Sequence, residues 1–431
     1  MNLARRTAAL AATAVLCTAA GPAVSVAAAA DSPSPKAPAD LPSALHGTKD
    51  PTYDGVWRQS LALLAQDAAG VVPAGKSVDW LAGQQCASGG FAAYRADATE
   101  KCDAKTAVDS NSTAAAVQAL AALGGHSAQV EKAAGWLKSV QNQDGGWGYA
   151  PGGPSDANST SVVIGALAAS GRKPEGVKSQ QGKSPYDALL GFQLGCDAKT
   201  GEAAQDGKGA AAESGRGAFA YQPDKKGALA ANADATVAAA LAGQGKGLLV
   251  EPVSKGTDEK TEPLDCGGSA KPDVHRAAAG ASAYVADLLE KDSHLTALAP
   301  GATDPAPDYA NTAEAVIALT AGGHREAAEA SLKWLEKNAE AWSKDNPAGL
   351  ATLVLAAHAA GSDPRDFGGT DLVSALNATG PKPESAEPAQ DAAGQKAQSE
   401  DDGTPAVWWI IGVGLVAGIG IGFLLSGRKK K

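Results

Sequence analysis

Four pairs of short polar residues recur along this 431-residue chain. They are Asp109 with Asn111, Asp156 with Asn158, Asn232 with Asp234, and Asp308 with Asn311, each just ahead of an Ala/Val/Leu run. Carboxylates and carboxamides so placed either accept from the free N–H groups of a helix start or converge on a ligand. Aromatic residues precede them: Phe91 and Tyr94, Trp147 and Tyr149, Phe219 and Tyr221. A polar ring with aromatic walls has the composition of a small-molecule site. The first residue of each pair reads as a cap, worth about 1 kcal/mol. The second, Asn111, Asn158 or Asp234, is less easily explained that way and is the better candidate for ligand contact. No residue is assigned a catalytic role. The chain has no His-Glu-x-x-His, no Gly-x-Ser-x-Gly elbow and no phosphate loop. The acid spacing is not that of an EF-hand, no metal site is assigned, and no glycosidase-type carboxylate pair stands out among the rim acids. His126 and His324 both follow Gly-Gly at a turn, which suits a turn role, while His275, His294 and His358 lack a motif partner.

Helices must position these residues. One phrase repeats: Asp or Asn, three residues, Thr, an apolar run, then Gly. It runs Asp109–Thr113–Gly124, Asp156–Thr160–Gly171 and Asp308–Thr312–Gly323, with weaker copies at Asn232/Thr236 and at Asn346, where Leu350 takes the Thr place before Gly361. Each phrase predicts a helix with an N-cap, an apolar body and a glycine stop. Second helices are predicted to begin near Gly75, Ser127, Ser184, Arg276, Arg325 and Thr370, and an extra first-type helix covers 56–68. Gly/Lys/Asp-rich inserts near 199–216 and 244–273 lengthen two of the periods. The fold class expected is all-α: six helical hairpins between residues 51 and 378. Their Ala-rich first helices can crowd into an inner barrel of a closed ring; an open solenoid is the structural competitor.

A second signature follows two of these hairpins. Trp136-Leu137, Gln141 and Gly145-Gly146-Trp147 match Trp80-Leu81, Gln85 and Gly89-Gly90-Phe91. Leu189, Gln193 and, after an insert, Gly217-Ala218-Phe219 form a degraded copy, and Trp334-Leu335 starts one that lacks the Gln. The signature resembles the QW motif of terpenoid cyclases and the prenyltransferase/squalene-cyclase repeat. The resemblance implies an (α/α)6 toroid in which the Gln caps helix ends and the aromatic packs beneath it. It does not fix the function, because the superfamily also holds protein prenyltransferases, thioester domains and cobalamin carriers similar to intrinsic factor and transcobalamin. The Asp-x-Asp-Asp acid of the cyclases is missing from the body; Glu400-Asp401-Asp402 lies in the stalk. Asp265, Cys266 and His275 or His324 supply residue types for a prenyltransferase zinc but not its spacing. Gly83-Gln84-Gln85-Cys86 has the letters of a thioester motif in the wrong order.

The ends suggest where the chain lives. Residues 1–30 read as a signal peptide, with Arg5 and Arg6 before an apolar stretch and small residues before Asp31. Cys17 invites a lipoprotein reading that the bulky Leu16 disfavours. Residues 31–50 form a leader, 379–406 a Pro/Ala/Glu-rich disordered stalk, 407–425 an uncharged transmembrane helix, and 426–431 a basic cytoplasmic tail. Together they describe a single-pass type I protein with its body outside the cell. Leu376-Asn377-Ala378-Thr379-Gly380 is a near miss to a sortase signal and reads better as a helix end. Four cysteines remain after cleavage, and the favoured of three pairings joins Cys86 to Cys102 and Cys196 to Cys266. The net charge of −10, with no basic stripe, argues against nucleic acid. Gly and Ala richness with a single Met suggests an actinobacterial source.

The sequence thus leads to a membrane-anchored extracellular toroid that binds a small molecule or a surface partner. A cobalamin-like cofactor held beside a membrane transporter is the sharpest form of that expectation, though no β-rich second domain is found to close over such a ligand. The alternative is a terpenoid cyclase- or prenyltransferase-like enzyme acting on an isoprenoid in the cavity. A purely structural surface protein, its inner barrel plugged by side chains, is the third reading.

Overall fold

The first-type phrases fold as helices for local reasons. Their Ala-rich runs cost little side-chain entropy, and each begins at a side-chain cap. Asp109 accepts from Ser112 N, Asp156 from Ser159 N, Asn232 from Ala235 N, Asp308 from Asn311 N and Asn346 from Gly349 N. In this computed structural model, which describes residues 41–196, 215–252, 258–265, 273–298 and 302–385, they give α3 (Ser110–Leu123), α5 (Ala157–Ala169), α7 (Ala233–Gly243), α9 (Tyr309–Ala321) and α12 (Pro347–Ala360). The extra helix is α1 (Gly55–Ala68). The second-type helices are α2 (Gly75–Gly83), α4 (Ser127–Ser139), α6 (Pro185–Leu190), α8 (Val274–Leu289), α10 (Arg325–Asn338) and α13 (Leu372–Ala378), with α11 (Glu340–Ser343) a short extra turn. The signal peptide, residues 386–406 of the stalk and the transmembrane stretch lie outside the described residues; residues 379–385, read as the start of a disordered stalk, instead pack on the toroid, where Glu384 N donates to the Val72 carbonyl at 3.0 Å and Glu384 Oε1 accepts from Gly75 N at 2.9 Å. Among the described residues no helix is long and apolar enough to cross a membrane.

Packing turns the hairpins into an α/α toroid. α1 packs on α3, α3 on α5, α5 on α7, α7 on α9, α9 on α12 and α12 back on α1. The ring therefore closes, and the open solenoid is excluded. Small residues permit this approach: most Ala side chains of the six inner helices are buried. Each outer helix packs on the inner helix of its own hairpin, exposing charge outward as in α10. Side chains also bridge the seam where the chain's start meets its end. Gln66 Nε2 donates to Asn377 Oδ1 at 2.7 Å, and Gly47 N donates to the Thr379 carbonyl at 2.8 Å.

The repeat's Thr and its QW signature share one joint. Phe91 N donates to Thr113 Oγ1, Trp147 N to Thr160 Oγ1, Phe219 N to Thr236 Oγ1 and Leu295 N to Thr312 Oγ1, all within 2.9–3.1 Å. Three of these hydroxyls donate onward to the carbonyl of the cap residue one turn back. The corners then run antiparallel to the segment entering the inner helix, as β1 (Phe91–Ala92) with β2 (Val108–Asp109) and β3 (Leu295–Ala297) with β4 (Ala306–Asp308). Leu350, in the last phrase, has no hydroxyl to offer and no such corner precedes it.

The implied capping role of the Gln needs correction. Gln85 Nε2 donates to Gly89 O and to Gln129 O in α4; Gln193 Nε2 donates to Gly217 O and to Ala277 O in α8. Gln141 does the same to Gly145 O and Val177 O. Each Gln thus ties its own corner to the next hairpin instead of capping its own helix. The adjoining glycines allow the close approach. A Cβ on Gly145 would lie 2.2 Å from the Ser184 carbonyl, and its φ is +98°.

Candidate functional site

The caps bring the polar pairs to one end of the ring. Asn158, two residues past its cap on α5, donates from Nδ2 to Asp234 Oδ2, two residues past the next cap on α7. Asp234 in turn feels the charges of Asp156 and Asp308. The N-termini of α5, α7 and α9 therefore share one mouth. Tyr149 beside Asp109 and the stacked rings of Tyr309 and Trp342, 5.4 Å apart, place the starts of α3 and α12 there too.

Below the rim, the half-buried positions form short stripes: Asn158 and Val162 on α5, Asp234 and Ala238 on α7, Asn311 and Glu314 on α9. The i,i+3 and i,i+4 spacing gives one face per helix, and the Asn158–Asp234 bond fixes that face toward the lumen. Glu314 makes no hydrogen bond to any described residue. Its carboxyl is pushed up to about 8 by burial first, then by the charges of Asp234 and Asp308. Burial likewise pushes Asp234 up to about 6, against the opposing Asn158 hydrogen bond, and Asp109 up to about 6. None of the ion pairs among the described residues reaches Asp156, Asp234, Asp308 or Glu314.

The opposite end is closed by backbone. The segment following α7 passes its ring neighbour α5 and reaches α3 and α12, which do not pack on α7. Leu248 N donates to Gln118 Oε1 of α3 at 2.8 Å, and Gly247 Cα would sit 2.9 Å from a Cβ on Gly165 of α5. Glu251 then lies 3.8 Å from His358 Nε2 on α12. Part of the predicted 244–273 insert is thus the floor of a cup whose mouth is the inner-helix N-termini.

The sequence-predicted site residues divide sharply. Asp109, Asp156, Asn232 and Asp308 are caps, and Asn311 is held by Asp308 through Nδ2 at 2.7 Å. Asn158 and Asp234 meet in the lumen, and Asn111 occupies the equivalent place on α3. Phe91, Trp147 and Phe219 do not wall the mouth: all three are buried in the core between inner and outer helices, with Trp147 Nε1 donating to Leu137 O at 2.7 Å. The corner bonds to Thr turn these rings inward, away from the mouth. Tyr94 stacks on Trp80, 6.3 Å between centroids, beside the start of α1. Tyr221 stays at the rim, its hydroxyl on Asp156, and Tyr149 is half exposed. Glu314 and Trp57, half-buried in the first turn of α1, are additions that the repeat pattern did not single out. A lone Glu inside an Ala/Val/Ile/Leu run was the available signal.

Cys86 and Cys102 form the expected disulfide, with Cα atoms 5.6 Å apart. Cys196 is also disulfide-bonded, and its expected partner Cys266 lies outside the described residues. Among the described residues no group of three or more His, Cys, Asp or Glu side chains is placed to hold a metal ion. His324, one of the residues with zinc-ligand chemistry, instead holds the Glu259 carbonyl through Nδ1 at 2.7 Å.

Comparison with known protein families finds the same architecture in one stretch of the chain. Residues 51–193 match the prenyltransferase alpha-alpha toroid domain. No curated protein matches the chain. Among solved structures it is similar to an ent-copalyl diphosphate synthase from Streptomyces platensis, at 16% identity over 71% of this chain and 50% of that one, with a TM-score of 0.45. It is also similar to a sugar epimerase from a ruminal bacterium, at 14% identity over 67% and 77% of the two chains, with a TM-score of 0.38. The chain spans about half the length of the synthase. That domain match spans the two full copies of the Gln–Gly–Gly–aromatic signature and supports a relation of this part of the chain to the prenyltransferase/terpenoid-cyclase toroid superfamily.

Proposed function

We propose that this protein is an exported, membrane-anchored toroid that binds a small molecule in its cup. The observation that carries the reading is the two ends of the ring: one closed by backbone, and one where Asn158, Asp234 and Glu314 project from adjacent inner helices with no ion pair to a cation among the described residues. Export rests on residues 1–30 and the apolar run 407–425, and the Cys86–Cys102 bridge accords with an oxidising exterior. Presentation of the ligand to a membrane transporter is the role that such an anchor suits. The cobalamin-like form of the ligand rests only on the resemblance between toroids.

The enzyme reading is weaker on chemical grounds. Initiating an isoprenoid cyclisation requires a strong acid to protonate an alkene. Glu314 is kept protonated, but by a carboxyl pushed up to about 8, which makes it a poor proton donor to carbon. The aromatic faces that would stabilise carbocations are also in the wrong place, since Phe91, Trp147 and Phe219 are buried in the core. Native mass spectrometry of the full-length chain, released from detergent and compared with its denatured mass, tests the proposal. A reproducible adduct lost on denaturation supports a binding cup. A bare chain, together with turnover of an isoprenoid diphosphate that Glu314→Gln abolishes, would replace binding with catalysis.

A further inference from the structure

Two segments of the chain far apart in sequence meet on α1, at the seam where the ring closes. In the leading one, Leu45 is buried in the same core as side chains of α1 and α2. Gln59 of α1 holds this segment: its Oε1 accepts from His46 N at 2.9 Å, and its Nε2 donates to the Ala44 carbonyl at 3.1 Å. The trailing segment lies alongside. Gly47 N donates to the Thr379 carbonyl, and Glu384 accepts from Gly75 N at the start of α2. His46 sits between the two segments and is only 1% exposed. A Cβ on Gly380 would lie 2.5 Å from its Nδ1, so the imidazole packs directly on the trailing backbone.

Hydrogen-bond accounting fixes the proton on this imidazole. His46 Nδ1 lies 3.1 Å from Thr379 Oγ1. The Thr379 hydroxyl has one proton and gives it to the Leu376 carbonyl at 2.7 Å. Nδ1 must therefore be the donor, which leaves Nε2 unprotonated. Nε2 is buried and has no hydrogen-bond partner. A second proton can go only there, where no described acceptor meets it. The charge that bears on the imidazole is also positive: Arg58 of α1, itself 2% exposed and offset in part by Asp54 at 3.5 Å. Other charged groups on the packed elements are engaged or turned to solvent. Lys49, Lys76, Asp79 and Lys382 are exposed, Asp50 holds Thr52, Asp371 caps the far end of α13, and Glu384 is turned to Gly75. Burial, with Arg58 adding to it, outweighs the opposing Leu376 carbonyl and holds the imidazole at about 4. We infer that His46 pins an acid-opened clasp: protonation at Nε2 leaves a buried, unpaired cation beside Arg58, and residues 41–47 and 379–384 let go of α1 and α2. The inner ring stays closed, because α12 packs on α1 through its own contacts. The device is independent of what the toroid binds.

The test uses the full-length chain in a neutral detergent. Nitrogen NMR of its histidine side chains at neutral pH reads the tautomer of His46 without any substitution. The proton is expected on Nδ1. Hydrogen exchange read by mass spectrometry, corrected for the intrinsic rate, then measures opening from pH 6.5 down to 4. In that window opening takes up one proton, so protection of peptides covering 41–48 and 376–384 should fall about tenfold per pH unit. Peptides of α5 should stay at least about a hundredfold better protected throughout, because they exchange only through a larger unfolding. His46→Gln should abolish the pH response of the clasp peptides. Glu384→Gln, which removes the trailing segment's own ionisable cap, should leave it in place. A neutral His46 with its proton on Nε2 overturns the inference, as does clasp protection that ignores pH. Clasp and α5 peptides sharing one protection at every pH would replace the clasp with global unfolding. A response that survives in His46→Gln overturns the assignment to His46.

Discussion

Glu314 ties stability to pH in a direction opposite to that of most proteins. Its carboxyl stands at about 8 in the folded chain against an ordinary value of 4.5. Between those two values the unfolded chain has released this proton and the folded chain still holds it. Unfolding therefore releases a proton, and stability falls as pH rises. The contribution is complete below pH 4.5 and is lost as the pH climbs through about 8. At roughly 1.4 kcal/mol per unit, raising the pH from 5 to 8 removes about 3–4 kcal/mol from this group alone. Lumen water and the shared charge of Asp234 and Asp308 make that an upper figure. Asp234 and Asp109, both at about 6, add slopes of the same sign over a narrower window. Urea unfolding at half-unit pH steps from 5 to 8 measures the slope. Glu314→Gln should flatten most of it and gain stability at pH 8. A parent chain whose stability is level or rising across that range, or a variant with the parent's slope, would refute the picture of a proton held in the lumen.

Further outcomes follow from the joints. His46, buried and held at about 4 mainly by desolvation, works on the acid side: stability should decline as the pH falls from 6.5 through 4, and His46→Gln should remove that limb in the same titration. Thr160→Val keeps the volume but leaves Trp147 N without its acceptor, so equilibrium denaturation should show a loss of about 1–3 kcal/mol; an unchanged midpoint would contradict the pinned corner. Gly145→Ala should cost more than Gly171→Ala, because both require positive φ but only Gly145 has a carbonyl 2.2 Å from the new Cβ, a ranking that thermal melts can check. Replacing Cys86 and Cys102 together by Ser should cost about 3 kcal/mol on the loop-entropy estimate, and a non-reducing digest should lose the linked peptide pair.

Much of the architecture was legible because its determinants are local. A helix start needs a short polar acceptor within three residues and a helix stop needs a residue tolerant of positive φ. Asp109 with Gly124, and Asn346 with Gly361, state both within a single phrase, and the structure places the helices between them. The repeated Gln and Gly-Gly pair was legible for a similar reason: a joint used several times leaves the same residues several times. The Cys86–Cys102 bridge closes over a short loop, so adjacency alone favoured it.

Tertiary closure decided the rest. From the sequence, Phe91, Trp147 and Phe219 are loop aromatics near a mouth; their backbone bonds to Thr113, Thr160 and Thr236 turn them into the core instead. Asn158 and Asp234 are 76 residues apart, and only the packing of α5 on α7 brings them into contact. The insert after α7 reads as a polar loop, yet Leu248 and Glu251 reach helices across the ring and give the cup a floor. Glu314 shows the division within one residue. Its helix was fixed by neighbours a few positions away, while its burial, its raised proton affinity and the acids facing it exist only once six hairpins have closed into a ring.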